Sequence, residues 1–453
     1  MGLLPLNYRR PAYVESVPRM SDDQVSIDSG SASGEKTSAS LRPVTSSNPP
    51  GIPPELSFDN IIDGGTCPPC TIRDFMNYLI YVERSAENLQ FFLWYQEYVG
   101  RFEEAKTSDI ALAPEWTQAM EDEAVLRLKK EHAENVRKAT KTPAIAILNA
   151  IGFEETAEVV RKESVTTEVN PFSTPPLTPG AVHGAVLDFE STNVGSYREQ
   201  ANEAFAVAGI KAPFTIQPFR KEIDRVIATY IMDGAPRELN LSDRERKTAL
   251  QGLSYTTHPS VLREIVKAVE STLRQQAHPN FIRWSICNGN PARVMFARCL
   301  GVGLIIISVA VALVLTLSRL GRGYRALAAI GWVLGIATLV AAWKGMCVVL
   351  HGMHHRHVRP WELFVTEEED ADGTQKSSFD SFGTTNSYED EPWVVRYEKR
   401  NIIRKIFDRE IWIQEPALRQ IQDTIFVQSM LFALVVSGVL AAIFVAVPGG
   451  DFF

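Results

Sequence analysis

Residues 83–95 read ERSAENLQFFLWY, and a second stretch rich in apolar side chains, FMNYL at 75–79, comes just before them. Apolar residues in both stretches recur every three or four positions, which is the spacing of the buried face of an α-helix. Ser85 lies between the stretches and is a suitable N-cap for the second helix. The sequence therefore predicts two helices that meet at a polar corner, although any helical hairpin with a face of Leu and Phe has the same periodicity.

A second group of helical signals lies much further along the chain. Residues 235–241 read APRELNL and are followed by SDRE, a capping-box pattern, at 242–245. Apolar residues at helical spacing then run from Val261 to Leu273, and HPNFIRW follows at 278–284. These signals predict a turn that contains Asn240 and then two or three further helices.

Taken in this order, the two groups resemble an RGS domain, the all-helical module that binds GTP-loaded Gα subunits. The resemblance implies that the chain holds the switch loops of Gα in their transition-state arrangement, while the Arg and Gln that act on GTP belong to the GTPase. The chain itself is therefore not expected to be an enzyme or to have catalytic residues. The positions that the resemblance assigns to Gα contact are Glu83, Glu87, Asn88, Asn240, Gln276 and Asn280.

One of these contact surfaces departs from the family pattern. Uncharged Gln276 and Asn280 stand where the family usually carries an acidic and a basic residue. Loss of a desolvated charge pair weakens an interface. We therefore expect GTPase acceleration to be measurable but weak, through the intact Glu83, Asn88 and Asn240.

Three apolar stretches near the end of the chain are long enough to cross a bilayer, which takes about 20 residues. The first, 299–318, contains no charged residue, and the third, 424–447, ends at a Pro-Gly-Gly sequence. The second, 326–350, is interrupted by Lys344, which has to extend toward the headgroups. A buried helix of a large soluble protein is the alternative reading of each stretch.

The expected architecture is all-α: an RGS-like helical bundle, split by a long insertion and followed by three transmembrane helices. A module can tolerate such an insertion because loop closure costs only about 0.6 kcal/mol for each doubling of loop length. The expected segments are a disordered tail at 1–55, an RGS-like domain at 56–290 with its insertion at about 105–213, spans at 299–318, 326–350 and 424–447, and a cytoplasmic segment at 351–423 with an acidic loop and an amphipathic helix over 393–412.

Charge signals for the membrane topology disagree with one another. An RGS-like domain has to face the cytoplasm, which places Arg319, Arg322 and Arg325 outside, against the tendency of basic loops to stay inside. The basic residues of 351–423 lie inside as expected, and the residues after 449 carry no basic side chain. Three spans with the N-terminus inside and the C-terminus outside are favoured, and a re-entrant pair is the alternative.

The layout as a whole resembles the fungal RGS proteins with a membrane tail, the Rax-type proteins of bipolar bud-site selection. This resemblance implies a cell-polarity landmark in the plasma membrane that works with a second membrane protein at division sites. Two function classes stay open: a membrane-tethered GTPase activator, and a polarity scaffold that uses the fold for protein contacts without accelerating hydrolysis.

Composition and motifs limit other functions. The net charge of −8, without a clustered basic face, gives no reason to expect nucleic acid, and five scattered cysteines do not form a disulfide framework. No Walker loop, G-x-S-x-G or H-E-x-x-H occurs, so no cofactor or metal is expected. The CPPC sequence at 67–70 is interpreted as a turn, and the four histidines within 351–357 as a cationic collar at the membrane interface.

Overall fold

The computed structural model describes residues 8–15, 51–106, 110–141, 189–213, 216–363 and 397–449. Over these residues the protein is mostly helical and has one two-stranded antiparallel ribbon. The helices are α1 Phe58–Ile62, α2 Ile72–Tyr78, α3 Ala86–Glu103, α4 Gln118–Lys141, α5 Phe189–Val207, α6 Arg220–Val226, α7 Asp243–Tyr255, α8 Arg263–Thr272, α9 His278–Ser285, α10 Pro291–Leu317, α11 Ala328–Trp343, α12 Val348–Gly352, α13 Ile402–Ile406 and α14 Pro416–Ala446. The strands are β1 His355–His357 and β2 Glu410–Trp412.

Six helical segments of the described chain are tighter or wider than an α-helix. The 3-10 turns are Pro54–Leu56, Pro259–Leu262 and Arg322–Leu327. Three further turns have the wider π-helical geometry, and each follows an α-helix directly: Leu79–Glu83 after α2, Ile227–Ile231 after α6 and Leu273–Ala277 after α8.

The chain divides into two compact units, and each is described by itself. The first contains residues 1–97 and 266–453, and the second contains residues 98–265.

In the first unit, an aromatic core joins α2 to α9, which lie near the two ends of residues 56–290, here called the helical region. The ring of Phe75 on α2 lies 5.0 Å from that of Phe281 on α9, and Tyr78 lies 5.1 Å from Trp284 (distances between ring centroids). Aromatic pairs at such distances add about 0.5–1.5 kcal/mol beyond the area that they bury. The structure therefore brings together two sequence segments that the insertion separates along the chain.

Three helices of the first unit are long and apolar enough to cross a membrane: Pro291–Leu317, Arg322–Trp343 and Pro416–Ala446, with mean hydropathies of 2.8, 2.0 and 2.5. They coincide with the three predicted spans. The first and third begin earlier than predicted, because capped and polar turns precede their apolar parts: Asn290 caps α10 and Glu415 caps α14. The second ends at Trp343 instead of 350, and α12 is a separate short helix.

The membrane helices pack through α11, which contacts both α10 and α14. Trp332 on α11 is fully buried at the centre of this cluster, with Ala312 of α10 and Ala433 of α14 beside it. Small residues on the outer two helices leave room for the indole. Most other large apolar side chains of these helices face outward, as expected for contact with lipid.

The prediction of one amphipathic helix over 393–412 is wrong in the described part of that segment. The structure instead has the short helix α13 and the strand β2, which pairs with β1 in the register Arg356–Ile411. Arg400 and Asp408, on either side of α13, form an ion pair of 2.8 Å. This pair folds the segment back on itself. The acidic loop at 364–396 lies outside the described residues.

The second unit contains α4, α5, α6 and α7 and its own apolar core. Tyr98 is fully buried there, and its hydroxyl donates to the carbonyl of Thr257. Arg220 is buried as well and pairs with Asp224 at 2.8 Å, one helical turn away. The heavily charged run at 119–140 predicts a helix with a solvated face, and it corresponds to α4.

Two predictions of irregular chain need correction. Residues 8–15, inside the predicted disordered tail at 1–55, are ordered against the first unit because their backbone groups find hydrogen-bond partners there. The stretch at 164–196 is rich in Pro, Ser and Thr, which predicts a flexible loop, but α5 begins inside it at Phe189. The apolar stretch at 144–160, which predicts a further helix, lies outside the described residues.

Candidate functional site

The predicted polar corner at residues 83–88 forms between the π-helical turn Leu79–Glu83 and α3. Arg84, between them, has the left-handed conformation (φ 58°), and the amide of Ser85 donates to the carbonyl of Leu79 at 3.0 Å. These features turn the chain sharply, so that Glu87 and Asn88 fall in the first turn of α3. A carboxylate at that place is stabilised by the helix dipole. The Nδ2 of Asn88 donates to Glu87 Oε1 at 3.1 Å.

Glu83 is half-buried at the end of the same turn. Tyr78 and Asn280 hydrogen-bond to its carboxylate, yet burial outweighs both bonds and raises the pKa of Glu83 above its ordinary value. The side chain therefore links the corner to α2 through Tyr78 and to α9 through Asn280.

Asn280 is 2% exposed and lies beneath residues 8–15, here called the N-terminal strap. Its Oδ1 accepts from the amide of Val14 at 2.9 Å, and its Nδ2 donates to the carbonyl of the same residue at 2.9 Å. Gln276 donates to the carbonyl of Glu15 at 3.2 Å. Gln276 and Asn280, which form the third of the predicted Gα-contact surfaces, are thus both engaged with the chain itself.

The strap has further contacts toward the membrane helices. Arg283 on α9 donates to the carbonyl of Pro11 at 2.7 Å, and Gln428 on α14 donates to the carbonyl of Tyr8 at 3.2 Å. Arg10 donates to the carbonyls of Lys344 at 2.8 Å and Arg283 at 2.6 Å, and also contacts Cys287 Sγ.

Asn240 belongs to the second unit and is exposed at the tip of a tight turn. The amide of Leu241 donates to the carbonyl of Leu239 at 2.7 Å, which closes a γ-turn around Asn240. Leu239 and Leu241 are buried on either side of it. Arg246, on α7, pairs with Asp233 at 2.8 Å and also with Glu238, and so fixes the loop. Ser242 and Glu245 form the predicted capping box that starts α7.

A feature that sequence reasoning missed is common to all these segments. Each predicted contact segment adjoins one of the three π-helical turns of the described chain: Glu83 ends the first, the Asn240 loop follows the second, and Gln276 lies in the third. Wide turns of this kind occur frequently at functional sites. No sequence pattern signals them, because their residues keep helical spacing.

The CPPC sequence forms the predicted turn, closed by a bond from the amide of Cys70 to the carbonyl of Cys67. Both cysteines are free, and burial raises the pKa of Cys70 well above its ordinary value. The turn also contacts the start of α14: the Cys67 amide donates to Glu415 at 2.7 Å. It therefore joins the helical region to a membrane helix.

The histidines after α11 do not form a uniform cationic collar. His351 and His354 both lie near Asp423, with Nε2 at 3.4 and 3.3 Å from Oδ1. His357 Nε2 faces Arg293 Nη1 at 3.2 Å and has to be neutral to accept from it. No group of three or more metal-ligating side chains occurs among the residues that the structure describes.

Comparison with known proteins adds no relative: no protein-family model, curated protein or solved structure matches this chain.

Proposed function

We propose that this chain is a membrane-anchored regulator of G-protein signalling that binds GTP-loaded Gα through Glu83, Glu87, Asn88 and Asn240. The observation that carries the proposal is the placement of these residues at turns that adjoin π-helical segments. Asn88 bonds to Glu87 in the first turn of α3, and Asn240 is exposed in a γ-turn between two buried leucines. A backbone that is held in place before binding loses little entropy when a partner docks.

Membrane attachment supports the same function. Three helices of the chain are long and apolar enough to span a bilayer. Tethering next to a lipidated Gα raises the effective concentration of the two proteins, so even a weak contact surface acts productively. We further propose the plasma membrane as the location, with the helical region on the cytoplasmic side.

The second candidate is a polarity scaffold that binds a further membrane protein at division sites without accelerating hydrolysis. The structure favours it at one point: Asn280 is buried and Gln276 is bonded to the strap, which removes the third contact surface from direct access. The two candidates differ in one measurable quantity, the rate of GTP hydrolysis by Gα.

The deciding experiment is single-turnover GTP hydrolysis by a Gα subunit, with the full chain in lipid nanodiscs. We expect acceleration that falls by roughly tenfold or more in Asn88→Ala and in Asn240→Ala, because hot-spot contacts are worth about 2 kcal/mol or more. Asn77→Ala, a change of the same type on α2 outside the contact set, is the control. A full chain that leaves the hydrolysis rate unchanged would rule out the activator, and acceleration that both contact variants leave intact would rule out binding through Asn88 and Asn240. Gα binding without acceleration would select the scaffold.

A further inference from the structure

The N-terminal strap lies along one face of α9 and the π-helical turn that leads into it. Three side chains of that face contact it, Gln276, Asn280 and Arg283, and Cys287 contacts it just after the end of α9. The spacing of four and three residues places the first three on a single stripe of the helix. Strap residue numbers rise as helix residue numbers fall, so the strap runs antiparallel to the helix.

The stripe recognises the main chain of the strap more than its side chains. Gln276, Asn280 and Arg283 bond to the backbone of Glu15, Val14 and Pro11. Asn280 forms two bonds to a single residue, Val14, one to its amide and one to its carbonyl. A side-chain amide that both accepts from and donates to one residue holds an extended peptide whatever that residue's side chain is. Arg10 adds side-chain contacts of its own.

We propose that this face of α9 is a docking groove for an extended peptide, that the chain's own residues 8–15 occupy it, and that a partner using Gln276 and Asn280 has to displace them. The last clause rests on the proposed function, since it concerns the third contact surface for Gα. The groove explains why Gln276 and Asn280 are uncharged. A carboxylate cannot donate to the Val14 or Glu15 carbonyl, and a basic side chain cannot accept from the Val14 amide.

The strap is also tied to the membrane helices at its first residues. Arg10 bonds to the carbonyl of Lys344, just after α11, and Gln428 of α14 bonds to Tyr8. Release of the strap therefore requires the loss of these contacts as well as of those to α9. Arg10 is the residue to change, because it contacts both regions and is outside the predicted Gα-contact set.

The test compares amide hydrogen exchange of residues 8–15 in the full chain in nanodiscs with that of Arg10→Ala. Arg9→Ala is the matched control, because it removes the same charge from the neighbouring position, where the side chain is exposed. We expect slow exchange in the unchanged chain and in Arg9→Ala, and exchange roughly tenfold faster or more in Arg10→Ala, where several charged-donor bonds are lost. Val14→Pro, which removes the amide that donates to Asn280, is the second variant. It leaves no Val14 amide to follow by exchange, so it is assessed by its Gα affinity.

Binding of Gα in the transition-state form, loaded with GDP and aluminium fluoride, is measured on the same variants. Opening of the strap should tighten binding roughly tenfold, since apparent affinity scales with the open fraction. Exchange of 8–15 as fast as in an unstructured peptide would overturn the groove. Faster exchange with unchanged Gα affinity would overturn displacement. If no variant binds Gα at all, the proposed function fails, and the exchange data alone judge the groove.

Discussion

Asn280 shows how one residue can be read differently in sequence and in structure. The RGS pattern usually has a basic residue at this position, so by that comparison the uncharged Asn280 weakens the predicted contact surface. In the fold it binds both backbone groups of Val14 and also hydrogen-bonds to Glu83. Only a neutral amide has the donors and the acceptor for these three bonds. The departure is therefore a requirement of the fold, whatever it costs in partner binding.

His278, at the start of α9, is the best-defined pH-sensitive residue of the helical region. Its side chain is 1% exposed, and its Nε2 donates to the carbonyl of Leu56 at 2.8 Å. Burial lowers the pKa of His278 to about 4, although the bond to Leu56 acts in the opposite direction. The neutral ring is therefore the form that the folded protein accepts.

We predict that His278 makes the helical region lose stability as pH falls from about 6.5, the ordinary histidine pKa, toward 4. The unfolded chain binds a proton over this range and the folded chain does not, so the cost approaches about 3 kcal/mol at the lower end. The thermal unfolding midpoint between pH 7.5 and 4.5 measures it. His278→Gln keeps a donor for Leu56 and should flatten the curve, whereas His355→Gln, in the ribbon, should not. Identical pH curves for both variants and the unchanged chain would contradict this role.

At the scale of elements, close approach of α10 and α11 depends on glycines. A Cβ on Gly301 would lie 2.8 Å from Leu339 Cγ and 3.1 Å from the Gly335 carbonyl oxygen. A Cβ on Gly335 would in turn lie 2.9 Å from the carbonyl oxygen of Gly301. Such distances leave no room for a side chain. Small residues at the same interface let helix backbones touch, which is a common source of association in lipid.

We predict that Gly301→Val separates α10 from α11 and destabilises the membrane part of the chain by about 1–3 kcal/mol, the usual cost of overpacking. Gly303→Val is the matched control, because nothing lies within 4 Å of a Cβ at that position of the same helix. Resistance to thermal aggregation in detergent compares the two. Equal losses would mean that helix propensity, and not the packing of α10 on α11, is responsible.

At the scale of the whole chain, the structure shows how many basic residues of the 318–325 turn are exposed, which bears on the membrane topology. Arg325 is 1% exposed and donates to the carbonyls of Phe444 and Val447, at 3.0 and 2.6 Å, and of Thr316 at 3.4 Å. It therefore caps the C-terminal ends of α10 and α14, where a positive charge is favourable. Of the three basic residues in this turn, Arg319 and Arg322 remain exposed. The apparent conflict with the positive-inside tendency is reduced, which supports our proposal of three spans.

We predict that an epitope added after Phe453 is accessible to antibody on intact cells, and that one added before Met1 is accessible only after permeabilisation. An odd number of spans places the two termini on opposite sides of the membrane. The basic residues of 397–409 favour the cytoplasmic side for their segment, and the opposite turn at 318–325 exposes only two basic residues, Arg319 and Arg322. An epitope in the cytoplasmic acidic loop, at 370–390, should behave like the one before Met1. The re-entrant pair leaves the turn at 319–324 on the cytoplasmic side, so an epitope in that turn that is accessible only after permeabilisation would favour it.

Much of the helical framework was predictable because it follows from periodicity. Apolar spacing and caps placed α2, α3 and α7, and uninterrupted apolar length placed the three membrane helices, since these signals are local. The ribbon was not predictable. Strands of three residues have no period long enough to detect, and β1 and β2 are separated by more than fifty residues of chain.

The sequence by itself thus determined that this protein is largely helical, that three of its helices suit a membrane, and which polar residues stand at the corners between helices. Only the tertiary structure decided what those corner residues touch. Asn280 and Gln276 bind the strap, Glu83 joins α2 to α9, and Arg325 closes two helix ends. The physical reason is that helix formation depends on neighbours within one or two turns, whereas a buried polar side chain is stabilised by whichever distant backbone group the fold brings to it.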